Sequence, residues 1–342
     1  MSRIAVYGAG SWGTALAVIL AKAGREVTLI GRDAAKIAKM KSSRENLPYL
    51  PDIVLPDNLE LTADPAGLKA ETVILSVPSQ SVRLAVRLLK SHLQPGTVLV
   101  NTAKGLEEGT QLRLSQVIAE EWPGVPLAVL SGPSHAEEVA RDMPTTVVVA
   151  ADLPLAEKIQ DLLMTPLFRV YTNPDIIGVE LGGALKNIIA LCTGIADGLG
   201  YGDNTKAALM TRGLAEITRL GVSLGGNPLT FAGLSGVGDL IVTCTSLHSR
   251  NLRAGIALGQ GKPLPEVLQE VGMVVEGVRT TKVAYEAGRR REISMPITEK
   301  AYEVIFAGKD PRTAVTELML RGKRHELEEV AQLALADKKK KM

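Results

Sequence analysis

The chain has 342 residues, enough for two domains of ordinary size, and its 46% hydrophobic and 22% charged content is the balance of a globular protein. A net charge of +2 with only 3% aromatic residues gives no basic, aromatic-interleaved stripe, so no nucleic-acid partner is expected. Cys192 and Cys244 stand far apart and outside any CxxC or Cys/His cluster, which argues against a disulfide framework and against a zinc or other metal site.

In chain order, Ile4–Tyr7 reads as a short apolar strand that runs directly into Gly8-Ala9-Gly10-Ser11-Trp12-Gly13. A small-residue helix, Thr14–Ala23, follows, and Arg25–Ile30 reads as a second strand. This is GxGxxG in a strand–turn–helix–strand context, the fingerprint of a dinucleotide site. Gly8 serves the tight turn, Gly10 lets the backbone approach a pyrophosphate, and Gly13 lets helix pack on strand. The helix start then offers N–H groups and partial positive charge to the phosphates. About 20 positions on, an acid would bind the ribose 2′-hydroxyl of NAD, whereas arginine suits the 2′-phosphate of NADP. Arg32 occupies that place and Asp33 follows it, which favours NADPH and leaves NADH open.

Further strands are expected at Thr72–Ser76, Val98–Asn101, Leu127–Leu130 and Thr145–Ala150. Helices are expected between them at Gln80–Leu93, Gln111–Glu121 and Leu155–Met164. Such alternation implies a parallel, doubly wound sheet with its ligands beyond the carboxyl ends of the strands. The residues just after those ends are therefore candidates: Ser76–Ser79, Asn101–Gly105 and Ser131–Ala136. Lys104, in the second stretch, is a cation placed to reach such a crevice; a loop lysine in water is the alternative.

After Asn173-Pro174 the pattern becomes helical, at Ile176–Leu199, Thr205–Leu224, Ala254–Leu258, Pro265–Val271, Thr280–Ala287, Pro296–Ala307 and Ala314–Arg321. The expected architecture is α/β: an N-terminal Rossmann-type dinucleotide-binding domain over residues 1–175, then an all-α domain over 176–342 that closes on it. Lys338–Lys341 reads as a disordered basic tail. The chain start leaves no room for a signal peptide, and no apolar run of spanning length is free of charges. A cytoplasmic protein without membrane insertion is expected.

One residue in the helical half stands out. Lys186 is ringed on the helical wheel by Ala184, Leu185, Ile188, Ile189, Leu191, Cys192 and Ile195, so its helix should be buried. Desolvating an ammonium costs several kcal/mol without a partner, and burial lowers a lysine pKa from about 10.4 toward values useful for proton transfer. A lysine that snorkels to the surface is the alternative.

GAGSWGTALA, NTAKGL, SGPSHAEE, GGALKNIIALCTGIADGLGYGDN, GVGDLIVTCTS with HSRN after it, and VVEGV together resemble the bacterial-type NAD(P)-dependent glycerol-3-phosphate dehydrogenases. The motifs stand in that family's order and cover Ile4 to about Arg321. The resemblance implies reversible hydride transfer between NADPH or NADH and C2 of dihydroxyacetone phosphate, giving sn-glycerol 3-phosphate for glycerolipid synthesis by a homodimer. It assigns Lys186 as proton donor and acceptor, with Lys104 and Asp239 as further catalytic groups. Asp239 by itself could be only a helix cap. Two neighbouring ammonium groups would also lower one another's pKa.

For the substrate phosphate, Ser249, Arg250 and Asn251 precede an apolar helix, where hydroxyl, guanidinium and amide would cluster with helix N–H groups, and Asn187 would add a donor. The alternative there is a helix cap with an exposed arginine. Gly132, Ser134 and Ala136 look like substrate and nicotinamide contacts, and Ser11, Trp12, Arg32, Lys104, Arg250, Val274 and Glu276 like cofactor contacts. His135 stands where many relatives have phenylalanine, and Cys192 where glycine or alanine is common.

Overall fold

The computed structural model describes residues 3–323 and Glu326, so the basic run Lys338–Lys341 lies outside the described residues. The chain forms two compact units, one made of Met1–Glu107 with Leu112–Ile176 and the other of Glu108–Gln111 with Ile177–Met342. Gln111 Nε2 donates to Glu286 at 2.6 Å, a contact inside the second unit.

The first unit runs β1 (Arg3–Tyr7), α1 (Ser11–Lys22), β2 (Glu26–Ile30), α2 (Ala34–Ser43), a hairpin of β3 (Glu45–Asn46) and β4 (Leu50–Val54), β5 (Leu59–Thr62) and β6 (Thr72–Leu75). It continues with α3 (Val82–Lys90), β7 (Val98–Asn101), α4 (Leu114–Glu121), β8 (Leu127–Ser131), α5 (Ala136–Ala140), β9 (Thr145–Ala150), α6 (Leu153–Leu163) and β10 (Phe168–Asn173). Eight strands form one sheet in the order β10-β9-β8-β7-β6-β1-β2-β5. Alternate residues feed its two faces. Val98 and Val100 join the core that α1 covers, while Leu99 joins the core with Val86, Leu89, Val117 and Ile118 of α3 and α4.

The expectation of a wholly parallel sheet needs one correction: β8 and β9 pair antiparallel. The reason is length. The only helix between them, α5, has five residues and advances about 7.5 Å, whereas recrossing a five-residue strand needs about 17 Å. The eleven residues of α6 span about 16 Å, and β9 and β10 accordingly pair parallel. Helix bounds also differ at their starts. The first helix begins at Ser11 rather than Thr14, because Gly10 takes the N-cap position, and α4 begins at Leu114 rather than Gln111.

The second unit is helical: α7 (Ile176–Gly198), α8 (Asp203–Ser223), α9 (Pro228–Phe231), a π-helical turn over Leu234–Gly238, α10 (Asp239–Thr245), α11 (Arg250–Gly259), α12 (Leu264–Val271), α13 (Glu276–Arg290), α14 (Pro296–Phe306) and α15 (Pro311–Met319). By length and composition α7 could cross a membrane, but 83% of its most apolar stretch is buried inside the protein. Every residue from Gly178 to Leu191 is buried, as an all-round apolar wheel requires. Glycines let its neighbours come that close. A β-carbon on Gly255 of α11 would stand 2.1 Å from the Leu191 carbonyl oxygen, and one on Gly194 of α7 only 2.2 Å from that of Leu252. On α8, buried Glu216 accepts the Ile297 and Thr298 N–H groups at 2.6 and 3.1 Å, joining α8 to the first turn of α14. Burial pushes its carboxyl up to about 7, against the pull of those hydrogen bonds.

Candidate active site

In the first unit the carboxyl ends of β1, β6, β7 and β8 lie along one edge of the sheet, because these strands run parallel in neighbouring places. Gly8 leaves β1 at φ 120°, a conformation side chains rarely adopt, and its N–H donates to Ile30 at 2.8 Å. Gly13 lies so near this turn that a β-carbon would stand 2.0 Å from the Gly8 carbonyl oxygen. At Gly10 the surroundings differ: a β-carbon would meet nothing within 4 Å. The glycine turn therefore closes tightly at both ends and stays open in the middle. That open backbone, with the first-turn amides of α1 beside it and no capping side chain on Gly10, fits a pyrophosphate.

The neighbouring side chains are more committed than their sequence suggests. Ser11 Oγ donates to the Tyr49 carbonyl at 2.6 Å, and the Trp12 ring packs on the core, 6.5 Å from that of Phe168. Both residues can still offer main-chain N–H groups. Arg32 is exposed just beyond β2, and its charge opposes the rise that burial imposes on the Tyr7 hydroxyl. Asp33 caps α2, accepting the Lys36 N–H at 3.0 Å.

Along the same edge Ser76 and Thr102 join hydroxyl to hydroxyl at 2.9 Å. Lys104 Nζ and Ser134 Oγ both donate to the Gly132 carbonyl, each at 2.9 Å, so three of the expected residues meet at one oxygen. Gly132 has φ 121°, and Ala136, buried, starts α5 just beyond His135, whose side chain makes no capping bond.

The second unit holds the other cluster. Lys186 is 5% exposed and Asp239 1%. Lys186 Nζ donates to Asp239 Oδ1 at 2.6 Å and to Thr243 Oγ1 at 2.5 Å. Thr243 in turn donates to the Asp239 carbonyl at 2.6 Å, one helical turn back. The snorkelling alternative is thereby ruled out: the ammonium is held inside by a carboxylate, which offsets the cost of its burial. The π-helical turn sets Asp239 at the head of α10, and a β-carbon on Gly182 of α7 would come within 2.7 Å of Ser235 in that turn. Thr243 went unforeseen. Its position one turn after Asp239 on α10 was the available signal. Cys192, further along α7, has its thiol pushed up by burial, with the Glu216 carboxylate adding to the effect.

The Ser249-Arg250-Asn251 group is divided. Ser249 Oγ caps α11, accepting the Leu252 N–H at 3.2 Å. Asn251 turns inward, donating to Asn187 Oδ1 at 3.0 Å and accepting the Gly277 N–H at 2.8 Å. Arg250 is exposed in the first turn of the helix. The Ser249 and Asn251 side chains are thus engaged within the protein, because a helix start makes its own demands on the residues that open it. Val274 and Glu276 flank the start of α13, next to Gly277.

Residues 3–155 match the model of the NAD-dependent glycerol-3-phosphate dehydrogenase N-terminus, and residues 175–316 that of its C-terminus. Glycerol-3-phosphate dehydrogenase [NAD(P)+] of Desulfitobacterium hafniense is 69% identical over 98% of this chain and 96% of its own length. The enzyme of that name from Moorella thermoacetica is 63% identical over 95% of this chain and 98% of its own. The crystal structure of glycerol-3-phosphate dehydrogenase from Coxiella burnetii superposes with a TM-score of 0.90 at 40% identity, covering 94% of this chain and 99% of that one.

Proposed function

The chain belongs to the NAD-dependent glycerol-3-phosphate dehydrogenase family, and from that premise we propose that it reversibly reduces dihydroxyacetone phosphate at C2 to sn-glycerol 3-phosphate, which feeds glycerolipid synthesis. The observation that carries the reading is the buried Lys186–Asp239–Thr243 cluster in a chain that also has a glycine turn open at Gly10. When bound, a reduced nicotinamide supplies the hydride; the rest falls to side chains. Reduction leaves negative charge on the C2 oxygen, and Lys186 stabilises that charge and delivers the proton. Asp239 and Thr243 hold the ammonium in place for this transfer. Lys104, with Gly132 and Ser134, contacts substrate and nicotinamide, and the first turn of α11 with Arg250 takes the phosphate, aided by Asn187. Gly8, Gly10, Gly13, Ser11 and Trp12 line the dinucleotide, with Ala136, Val274 and Glu276 completing its contacts. A small phosphorylated substrate fits the family, and the same reading makes the protein a cytoplasmic homodimer.

NADPH is the favoured cofactor, since Asp33 is tied to its own helix while Arg32 stands exposed beside it. Loss of reduced-nicotinamide absorbance on adding dihydroxyacetone phosphate should be seen with both NADPH and NADH. Arg32→Ala should weaken NADPH about tenfold, as one charge-assisted contact to the 2′-phosphate is lost, and leave NADH nearly unchanged. Equal losses would mean that Arg32 stacks on adenine, and no turnover with either cofactor would overturn the reading.

Gly10→Ala tests the dinucleotide site. At φ −85° with nothing near the added carbon, the substitution should leave the melting temperature as it is. It should nonetheless weaken NADPH by about tenfold or more, because the methyl would occupy space reserved for the pyrophosphate. Unchanged affinity in a titration of cofactor fluorescence would place the phosphates elsewhere.

A further inference from the structure

Lys104 sits in the loop that follows β7, and that loop is tied down on both sides of it. Before Lys104, the Thr102 N–H and hydroxyl both donate to the Leu75 carbonyl, at 3.0 and 2.9 Å. After it, Leu106 is buried, and its carbonyl accepts Gln80 Nε2 at 2.8 Å. The next residue is held harder. Arg83, in the first turn of α3, binds the Glu107 carboxylate through two bonds, Nε to Oε1 at 2.8 Å and Nη2 to Oε2 at 2.7 Å. Such a fork is stronger than a single-point ion pair and fixes direction as well as distance. The Arg83 side chain is 21% exposed and that of Glu107 12%, so water screens this pair less than an ordinary surface bridge. The guanidinium is itself fixed from α4, where Glu121 and Glu120 also accept from it and Arg87 holds Glu121 in turn. Glu107 is thus anchored to a set of packed helices, and only Gly105 and Leu106 separate it from Lys104.

We propose that Arg83 and Glu107 are positioning residues for Lys104: their fork fixes the far end of the loop, and so keeps the Lys104 ammonium on the Gly132 carbonyl. They act through Lys104 and not on the substrate. The kinetic consequence rests on the reaction proposed above; the tether itself does not.

The first test reads the tether without turnover. Parent and variants would be treated briefly with acetic anhydride, and acetylation of Lys104 followed by mass spectrometry against Lys22 and Lys262, which lie on other elements. Arg83→Ala and Glu107→Ala should each acetylate Lys104 about 2- to 10-fold faster than the parent, the worth of one hydrogen bond released. Glu120→Ala removes another partner of Arg83 but leaves the fork, and should label at the parent rate. In turnover, Arg83→Ala should lose about 3- to 10-fold in kcat/KM for dihydroxyacetone phosphate. Added to Lys104→Ala it should cost almost nothing more, because both changes remove the same group's action. A merely structural role would instead speed labelling at the reference lysines too, and its loss would add to that of Lys104→Ala. Either of those results, parent-rate labelling of Lys104 in both fork variants, or equal speeding by Glu120→Ala would overturn the proposal. Should Arg83→Ala not fold, Glu107→Ala, which leaves Arg83 on Glu120 and Glu121, decides alone. If the parent protein reduced no substrate, the proposed reaction would fail, while the labelling series would still decide the tether.

Discussion

Lys186→Ala should lower kcat for dihydroxyacetone phosphate by roughly 100-fold or more, the loss expected when a general acid that also stabilises developing charge is removed. Affinity for NADPH should barely change, because the glycine turn belongs to the other compact unit. The structure adds a second effect. Asp239, with a side chain only 2% exposed, would be left as a buried carboxylate without its cation, which costs about 3–5 kcal/mol. Activity and stability must therefore be separated. Lys186→Met combined with Asp239→Asn removes both charges, and should recover most of the melting temperature without recovering kcat. Near-normal kcat in Lys186→Ala would reduce the lysine to a structural ion pair and make Lys104 the better candidate for the acid.

Arg250→Ala should cut kcat/KM for dihydroxyacetone phosphate by about 10- to 100-fold, the worth of roughly 1.4–2.8 kcal/mol from a charge-assisted contact. A fully buried arginine–phosphate pair would be worth more, but Arg250 is exposed, and solvent screens its charge. Unphosphorylated dihydroxyacetone, which cannot use the contact, should be turned over as poorly as before. Part of the loss should fall on kcat, because a held phosphate also positions C2 for reaction. An equal loss with both substrates would make Arg250 a fold or cofactor residue, and the phosphate would then be sought around Lys104 and Ser134.

The legible parts of this chain are those where backbone geometry leaves few choices of residue. The glycine turn is one, since Gly8 needs a positive φ and Gly13 has no room for a side chain. Lys186 is another, because a lone cation in an all-round apolar helix demands a partner. Its partner was harder to read: Asp239 lies 53 positions away, and its alternative role as a plain helix cap is equally consistent with sequence. Thr243 gives no signal of its own, as a threonine within a helix is ordinary. Strand β5 is only four residues long, and β10, at the end of the sheet, alternates Phe168 and Val170 inside with Arg169 and Tyr171 outside, a period-two pattern unlike the continuous apolar runs of the inner strands. For Ser249, Arg250 and Asn251, sequence shows three polar residues at a helix start but not their directions. One caps the helix, one faces solvent and one ties three helices together.

The central claim is hydride delivery to C2 of dihydroxyacetone phosphate, and an isotope label tests it most directly. The protein would be incubated with dihydroxyacetone phosphate and NADPH carrying deuterium in both positions at the nicotinamide C4, and the product analysed by NMR. The account predicts sn-glycerol 3-phosphate with deuterium bound at C2, formed mole for mole with NADPH oxidised, and almost none with Lys186→Ala. Oxidation of NADPH that left C2 unlabelled, or no glycerol 3-phosphate from folded protein, would contradict it.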